Sequence, residues 1–385
     1  MEFVVGRIAL QKALQNVAAA MNTRSSVHLL SCVKISAQEG KLSLVTTNLE
    51  TEAGDKIECT MSKAGEIAAP LSTLLEVVKS MTGDKLECKL EETGTEGAKK
   101  LIVSHGSDVM KVTCLSADEF PEVLSDKFDV ENVLESKAFA ELMKKTIFSI
   151  SNNPDRYNLN GLLLQTVQKD DGIYLRAVST DGHRLSMDQI KIKGETGVDA
   201  KMFTTKIVVP RKSIAEMAKL LNQDEKECTI SVSSNKLALK IGSTSFCTKL
   251  MDVEFPDYEK VVPQKNDKIM EVKKSDLTAA LGRVNVIYTI KGIKGVKCIV
   301  DGKKSQLTLT CTNQNGDEAS AVVECKFSDS EEKFETAYNP QFVSDILSNL
   351  TEKEVRFSFS TPTAPLLIKP EDKSDSCYVV MPMRI

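Results

Sequence analysis

Tryptophan is absent from this 385-residue chain, histidine occurs three times, and aromatic residues make up 5% of it. A surface that stacks bases needs a series of aromatic rings, and the sequence has none. No apolar run reaches the roughly 18–20 residues of a membrane-spanning helix, so no membrane partner is expected. The opening MEFVVGRIAL carries an acid at Glu2 and lacks the basic start, long apolar core and small-residue cleavage site of a secretory signal, which predicts a cytoplasmic protein. Cysteines are plentiful but never paired. Cys32, Cys59, Cys88, Cys114, Cys228, Cys247, Cys298, Cys311, Cys325 and Cys377 stand singly, with no Cys-x-x-Cys. Zinc ligands come in close pairs, and scattered thiols suit a reducing compartment. Walker, Gly-x-Ser-x-Gly and His-Glu-x-x-His motifs are also missing. The sequence therefore predicts no cofactor, no metal, no nucleotide site and no catalysis of its own.

What the chain does have is a long-period repeat. EIAAPLSTLLEVVKSM (66–81), KIVVPRKSIAEMAKLL (206–221) and FETAYNPQFVSDILSNL (334–350) each place a strand, a proline and a helical apolar spacing in the same order. Pro70, Pro210 and Pro340 are expected in the first helical turn, where a missing N–H costs nothing. A second helix opens each copy at 8–21, 136–151 and 273–288, with Ser136 and Ser275 as candidate N-caps. Short alternating strands follow. Each copy closes alike, on DEFPEV (118–123), VEFPDY (253–258) and VVMPMRI (379–385), read as closing strands. The expected fold class is α+β, in three domains: 1–126, 127–263 and 264–385. Charged, aperiodic stretches near 122–131 and 259–268 would link them.

Charge is divided unevenly. The six helical segments carry a net +6, mainly from Lys12, Lys137, Lys144, Lys145, Lys274, Arg211 and Lys212, while the whole chain is −4 and everything outside them −10. A positive helical face on an acidic body suits the dense negative charge of duplex DNA without reading its sequence. On charge alone, lysines on ordinary solvated helix faces account for it equally well.

The most conspicuous polar cluster is STDGHRLS (179–186). An enzyme would use His183 and Asp181 there as base and orienting carboxylate. Asp-Gly is a turn signal, however, and turn neighbours do not form such a pair. A turn that presents an imidazole, a guanidinium and Leu185 is better suited to binding. DRYNLNG (155–161) lies one strand earlier, and its Leu159 is either core or part of the same surface.

In order and spacing, DRYNLNG, TDGHRL, FPDYEKVVP (255–263) and the terminal MPMR resemble the bacterial DNA sliding clamp family, the beta subunit of DNA polymerase III. The resemblance covers the whole chain. It implies a head-to-tail homodimeric ring of clamp domains, with helices lining a hole and antiparallel sheets outside. The function implied is that of a processivity factor in DNA replication, which encircles double-stranded DNA and tethers the replicative polymerase. Arg24 and Arg156 would face DNA. Short apolar peptide motifs of the polymerase, the clamp loader and repair polymerases would dock in a groove of Leu159, Thr180, Gly182, His183, Arg184, Leu185, Pro256, Val261, Val379, Met381, Pro382, Met383 and Arg384. Methionine adapts to varied partners, and burying one ligand Leu or Phe is worth roughly 1.5–3 kcal/mol. Met110 and Val112 of one subunit would meet Ile287 and Tyr288 of the other. Departures from the family pattern fall at TIKGIKGVK (289–297), at Lys260 where Arg is usual, and at Thr363 and Pro365. The alternative reading is a non-enzymatic peptide-binding scaffold of three repeats that does not encircle DNA.

Overall fold

The computed structural model describes residues 1–21, 27–92, 99–121, 128–192, 206–221, 225–288, 295–313, 316–329, 333–370 and 375–384. Its helices are α1 (Arg7–Val17), α2 (Leu71–Ser80), α3 (Ser136–Thr146), α4 (Arg211–Leu220), α5 (Lys274–Tyr288) and α6 (Pro340–Ser348). Apolar residues three and four apart put one stripe of each helix against a sheet. Leu10, Ala13, Leu14 and Val17 are buried in α1, and Leu277, Ala280, Leu281 and Val284 in α5. With these boundaries Arg7 joins the helices and Lys273 leaves, so their net charge is unchanged.

The prolines differ among the copies. Pro340 is the first residue of α6, behind Asn339, whose side chain accepts the Gln341 N–H at 3.0 Å. Pro70 and Pro210 instead end the strands Gly65–Pro70 and Ile207–Pro210, directly before α2 and α4. Among the described residues each strand has one strand neighbour, Cys32–Gln38 and Gly161–Lys169 respectively, and Ala68 is also bridged to Leu115. A residue without an N–H is tolerated on such an edge. The serine caps also differ from expectation. Ser136 is itself the first residue of α3, and Ser275 lies inside α5 with its hydroxyl on Asp276.

Among the described residues of the three closing segments only the last includes a strand, Cys377–Val380, and it stops before Met381. The residues leading up to Pro121 and those on either side of Pro256 are irregular, because proline cannot continue a ladder. Phe120 and Phe255 anchor them instead, Phe120 against Cys32 and Ala68, Phe255 in a core with Leu163, Val178 and Tyr258.

The chain forms two compact units, one mainly Met1–Lys137 and Ala215–Leu250, the other mainly Ala138–Ile192 and Met251–Ile385. Residues of the second repeat contribute to both, because a sheet continues across each junction between repeats. In the first unit, Thr51–Lys63 takes Thr244–Lys249 alongside, with Gly54 opposite Ser245 and Thr51 opposite Thr248. In the second, Arg184–Lys191 takes Cys377–Val380, with Met187 opposite Cys377 and Arg184 opposite Val380.

The two junctions share a device. One residue past the pairing lies a buried aspartate, Asp55 or Asp188, only 3% and 6% exposed. Asp55 accepts hydrogen bonds from Asn16 (2.9 Å), Ser243 (2.7 Å) and Thr244 (3.2 Å). Asp188 accepts one from Ser376 at 2.9 Å and pairs with Lys145 at 3.5 Å. Burial pushes the Asp188 carboxyl up, and Lys145 and Ser376 oppose that. The ten cysteines are free thiols, and burial pushes Cys88 and Cys298 up to about 12, away from reactivity.

Candidate peptide-binding surface

The surface is built around the turn between the strands Gly172–Thr180 and Arg184–Lys191, where Thr180 faces Leu185. Asp181 Oδ1 accepts the N–H groups of His183 (2.8 Å) and Arg184 (3.0 Å). The Thr180 hydroxyl donates to the Arg184 carbonyl at 2.7 Å and accepts the Gly182 N–H at 3.1 Å. Gly182 has φ +86°, and a Cβ there would lie 2.4 Å from Arg156 Nη1. That nitrogen donates to the Asp181 carbonyl at 2.6 Å. The 3-10 segment Pro154–Leu159 is thereby tied to the turn.

Asp181 and His183 do not form the base-and-carboxylate pair an enzyme would use here. The second Asp181 oxygen accepts from Arg184 Nε at 3.0 Å, so the carboxylate is engaged by backbone and guanidinium, while His183 is exposed. An imidazole held by a carboxylate is what catalysis would need.

The terminal segment runs beside the turn. The Met381 N–H donates to the His183 carbonyl at 2.9 Å, and the Met383 N–H to the Ala337 carbonyl at 2.8 Å. Pro382, which has no N–H to offer, falls between these two ties. Backbone bonds on alternate residues thus hold this segment. Leu185 and Val379 form an apolar floor with Leu163, Phe255 and Tyr258. Met381, 39% exposed, and the exposed Val261, Pro256 and Arg384 remain open, with Pro382 and Met383 half-buried.

Of the predicted groove residues, Thr180, Gly182, His183, Arg184, Leu185, Val379 and Met381 therefore lie along one paired turn and strand. Pro256 and Val261 flank Phe255 and Tyr258 of the same core. Leu159 is buried at the end of the segment that Arg156 ties down. Lys260 is exposed and paired with Asp257 at 2.9 Å, and the Pro365 carbonyl accepts from Asn266 at 3.0 Å. Sequence reasoning missed the partners of Arg184. Its side chain is 11% exposed and turns inward, over the rings of Phe148 and Phe342 and onto Asp345. These residues are far apart in sequence, and no local pattern joins them.

The other predicted contacts fare unevenly. Arg24, Ile290 and Gly292 lie outside the described residues. Met110 is open, but Val112, 3% exposed, points into its own chain's core. Ile287 and Tyr288 are half-buried against the core, whereas neighbouring Val286 is 68% exposed.

Three family models cover the chain in order: the N-terminal, central and C-terminal domains of the DNA polymerase III beta subunit, at residues 1–124, 133–257 and 259–384. A protein of Pseudomonas putida named Beta sliding clamp is 31% identical over 386 residues, with all of both chains covered. The chain belongs to the DNA polymerase III beta subunit family of sliding clamps. Another Beta sliding clamp, from Caulobacter vibrioides, is 30% identical over the full length of both proteins. The crystal structure of the DNA polymerase sliding clamp from Caulobacter crescentus matches with TM-score 0.90 at 30% identity, covering all of both chains. The same values describe the match to the sliding clamp of Bartonella birtlesii, solved bound to griselimycin. Membership supplies the clamp fold and the clamp function, including the three-domain plan read from the repeats.

Proposed function

We propose that this clamp closes around duplex DNA as a head-to-tail dimer and recruits polymerases, loader and repair proteins through short apolar peptides. It contributes no chemistry of its own and works in the cytoplasm. The observation that carries peptide recruitment is the terminal segment bonded to the TDGHRL turn over an apolar floor. Pre-organisation of that segment lowers the ordering cost of docking. Domains of 1–126, 127–263 and 264–385 are the units that repeat.

The junctions support the dimer. By hairpin register, Thr47 opposite Glu52 and Thr180 opposite Leu185 correspond to Thr312 opposite Glu318. The strand Glu318–Phe327 is thus the third acceptor, and among the described residues its first half has no second strand neighbour. The third donor is Asp108–Cys114, whose single strand neighbour among the described residues is Lys99–His105. Pairing the donor of one copy with the acceptor of another puts Met110 opposite Ala319 and Lys111 opposite Glu318. The charges are complementary, and the exposed Val109 is covered. Ile287 and Tyr288 would lie at the helix end facing that seam. Arg24 and Arg156 are proposed to face the encircled DNA, with weak contact to phosphates.

A fluorescence-polarisation titration with a labelled Gln-Leu-Ser-Leu-Phe peptide tests the groove. The intact protein should bind near micromolar, about −8 kcal/mol. The same protein truncated after Val380 should not bind while still melting cooperatively. Absence of binding to the intact protein would remove the groove assignment.

A further inference from the structure

We propose that Asp345, on α6, is a positioning residue for the peptide surface, acting through Arg184; this rests on the groove reading above. Each guanidinium nitrogen of Arg184 has its own partner. Nε donates to Asp181 Oδ2 at 3.0 Å, Nη1 to Asp345 Oδ2 at 2.5 Å, and Nη2 to the Phe148 carbonyl at 2.8 Å. The planar group also lies over two rings, its central carbon 4.6 Å from the Phe342 ring centre and 5.6 Å from that of Phe148. So Arg184, although part of the TDGHRL turn, faces away from a docking peptide and into the protein.

The consequence is a relay of fixed side chains. Gln341 Nε2 donates to Asp345 Oδ1 at 2.7 Å, one turn along α6. Asp345 holds Arg184, and Arg184 holds Asp181. Asp181 in turn fixes the N–H groups of His183 and Arg184, which set the direction of the turn. The His183 carbonyl then receives Met381. Asp345 itself is about a quarter exposed and makes none of its described contacts with the predicted groove other than through Arg184. A charge-assisted pair of this kind, packed against rings, has one favoured geometry. Without Asp345, the guanidinium loses the anchor that keeps it off the Asp181 turn's outer side. The docking surface then samples several arrangements, of which a fraction bind.

The test uses the full-length protein and the labelled Gln-Leu-Ser-Leu-Phe peptide, at a temperature well below the melting transition of every variant. Asp345→Ala should weaken the peptide roughly fivefold to tenfold. Asp345→Asn, which keeps the shape and loses the charge, should fall between Ala and the parent and guards against a folding defect in the alanine variant. The double variant Asp345→Ala/Arg184→Ala should bind no worse than Arg184→Ala alone, because both substitutions break one relay. A purely structural ion pair would lower the melting temperature and leave affinity below the transition unmoved. Parent-like binding by both Asp345 variants would overturn the proposal while leaving the groove standing. Additive losses in the double variant would overturn it too, since Asp345 would then act by another route. A parent protein that does not bind removes the groove and this inference together.

Discussion

Gly182 meets two constraints at once. Its φ of +86° is a conformation that disfavours a side chain, and Arg156 occupies the space a Cβ would take. Gly182→Ala should cost roughly 1–2 kcal/mol in chemical denaturation and weaken peptide binding by loosening the Arg156 tie. An unchanged denaturation midpoint would contradict this account of the turn. Much of this was legible in the sequence, because Asp-Gly between two alternating strands specifies a tight turn by local chemistry. The orientation of Arg184 was not. Its partner Phe148 lies 36 residues earlier in the same repeat, Phe342 and Asp345 lie in the third, and only folding brings them to it. Val112 was misjudged for a similar reason. Strand alternation gives two faces, but the sequence does not say which one meets the chain's own core.

At the scale of elements, the alternating strands and amphipathic helices follow the periodicities expected of them. The exceptions are prolines. Pro70 and Pro210 end edge strands, and Pro121 and Pro256 leave closing segments irregular, because the same missing N–H suits an edge, a helix start or a loop. The buried aspartates at the two junctions had no sequence signal at all, yet they make a measurable claim. Burial raises the Asp188 carboxyl above its unfolded value. The folded state then holds that proton more tightly than the unfolded chain. The resulting stabilisation is present below the unfolded carboxylate range, near pH 3.9, and is lost as pH rises through the raised folded value. Asp188→Asn removes this loss and keeps an acceptor for Ser376. The stability of the variant relative to the parent should therefore climb between about pH 4 and pH 7. Denaturation series at both ends of that range read it directly. A relative stability that stays flat or falls would mean that Lys145 outweighs burial.

For the whole molecule, the internal repeat does more than predict three similar domains. It supplies two worked examples of a junction and leaves one acceptor strand and one donor strand to make the third with another copy. In that register the position of Asp55 and Asp188 falls on Ala321, so the proposed seam lacks the buried carboxylate that ties the other two. Opening there would strand no buried charge. This suits a ring that must part to admit DNA, while the basic helices need only weak, mobile contact with phosphates once it has closed. Encirclement makes the hold on DNA topological. The most direct measurement loads the protein onto nicked circular duplex with a clamp loader and ATP, removes free protein by gel filtration, and linearises half the sample. The account predicts retention on the circle and loss from the cut DNA as the ring slides off its ends. Equal retention on both would contradict encirclement and leave a peptide-binding scaffold that holds DNA only from outside.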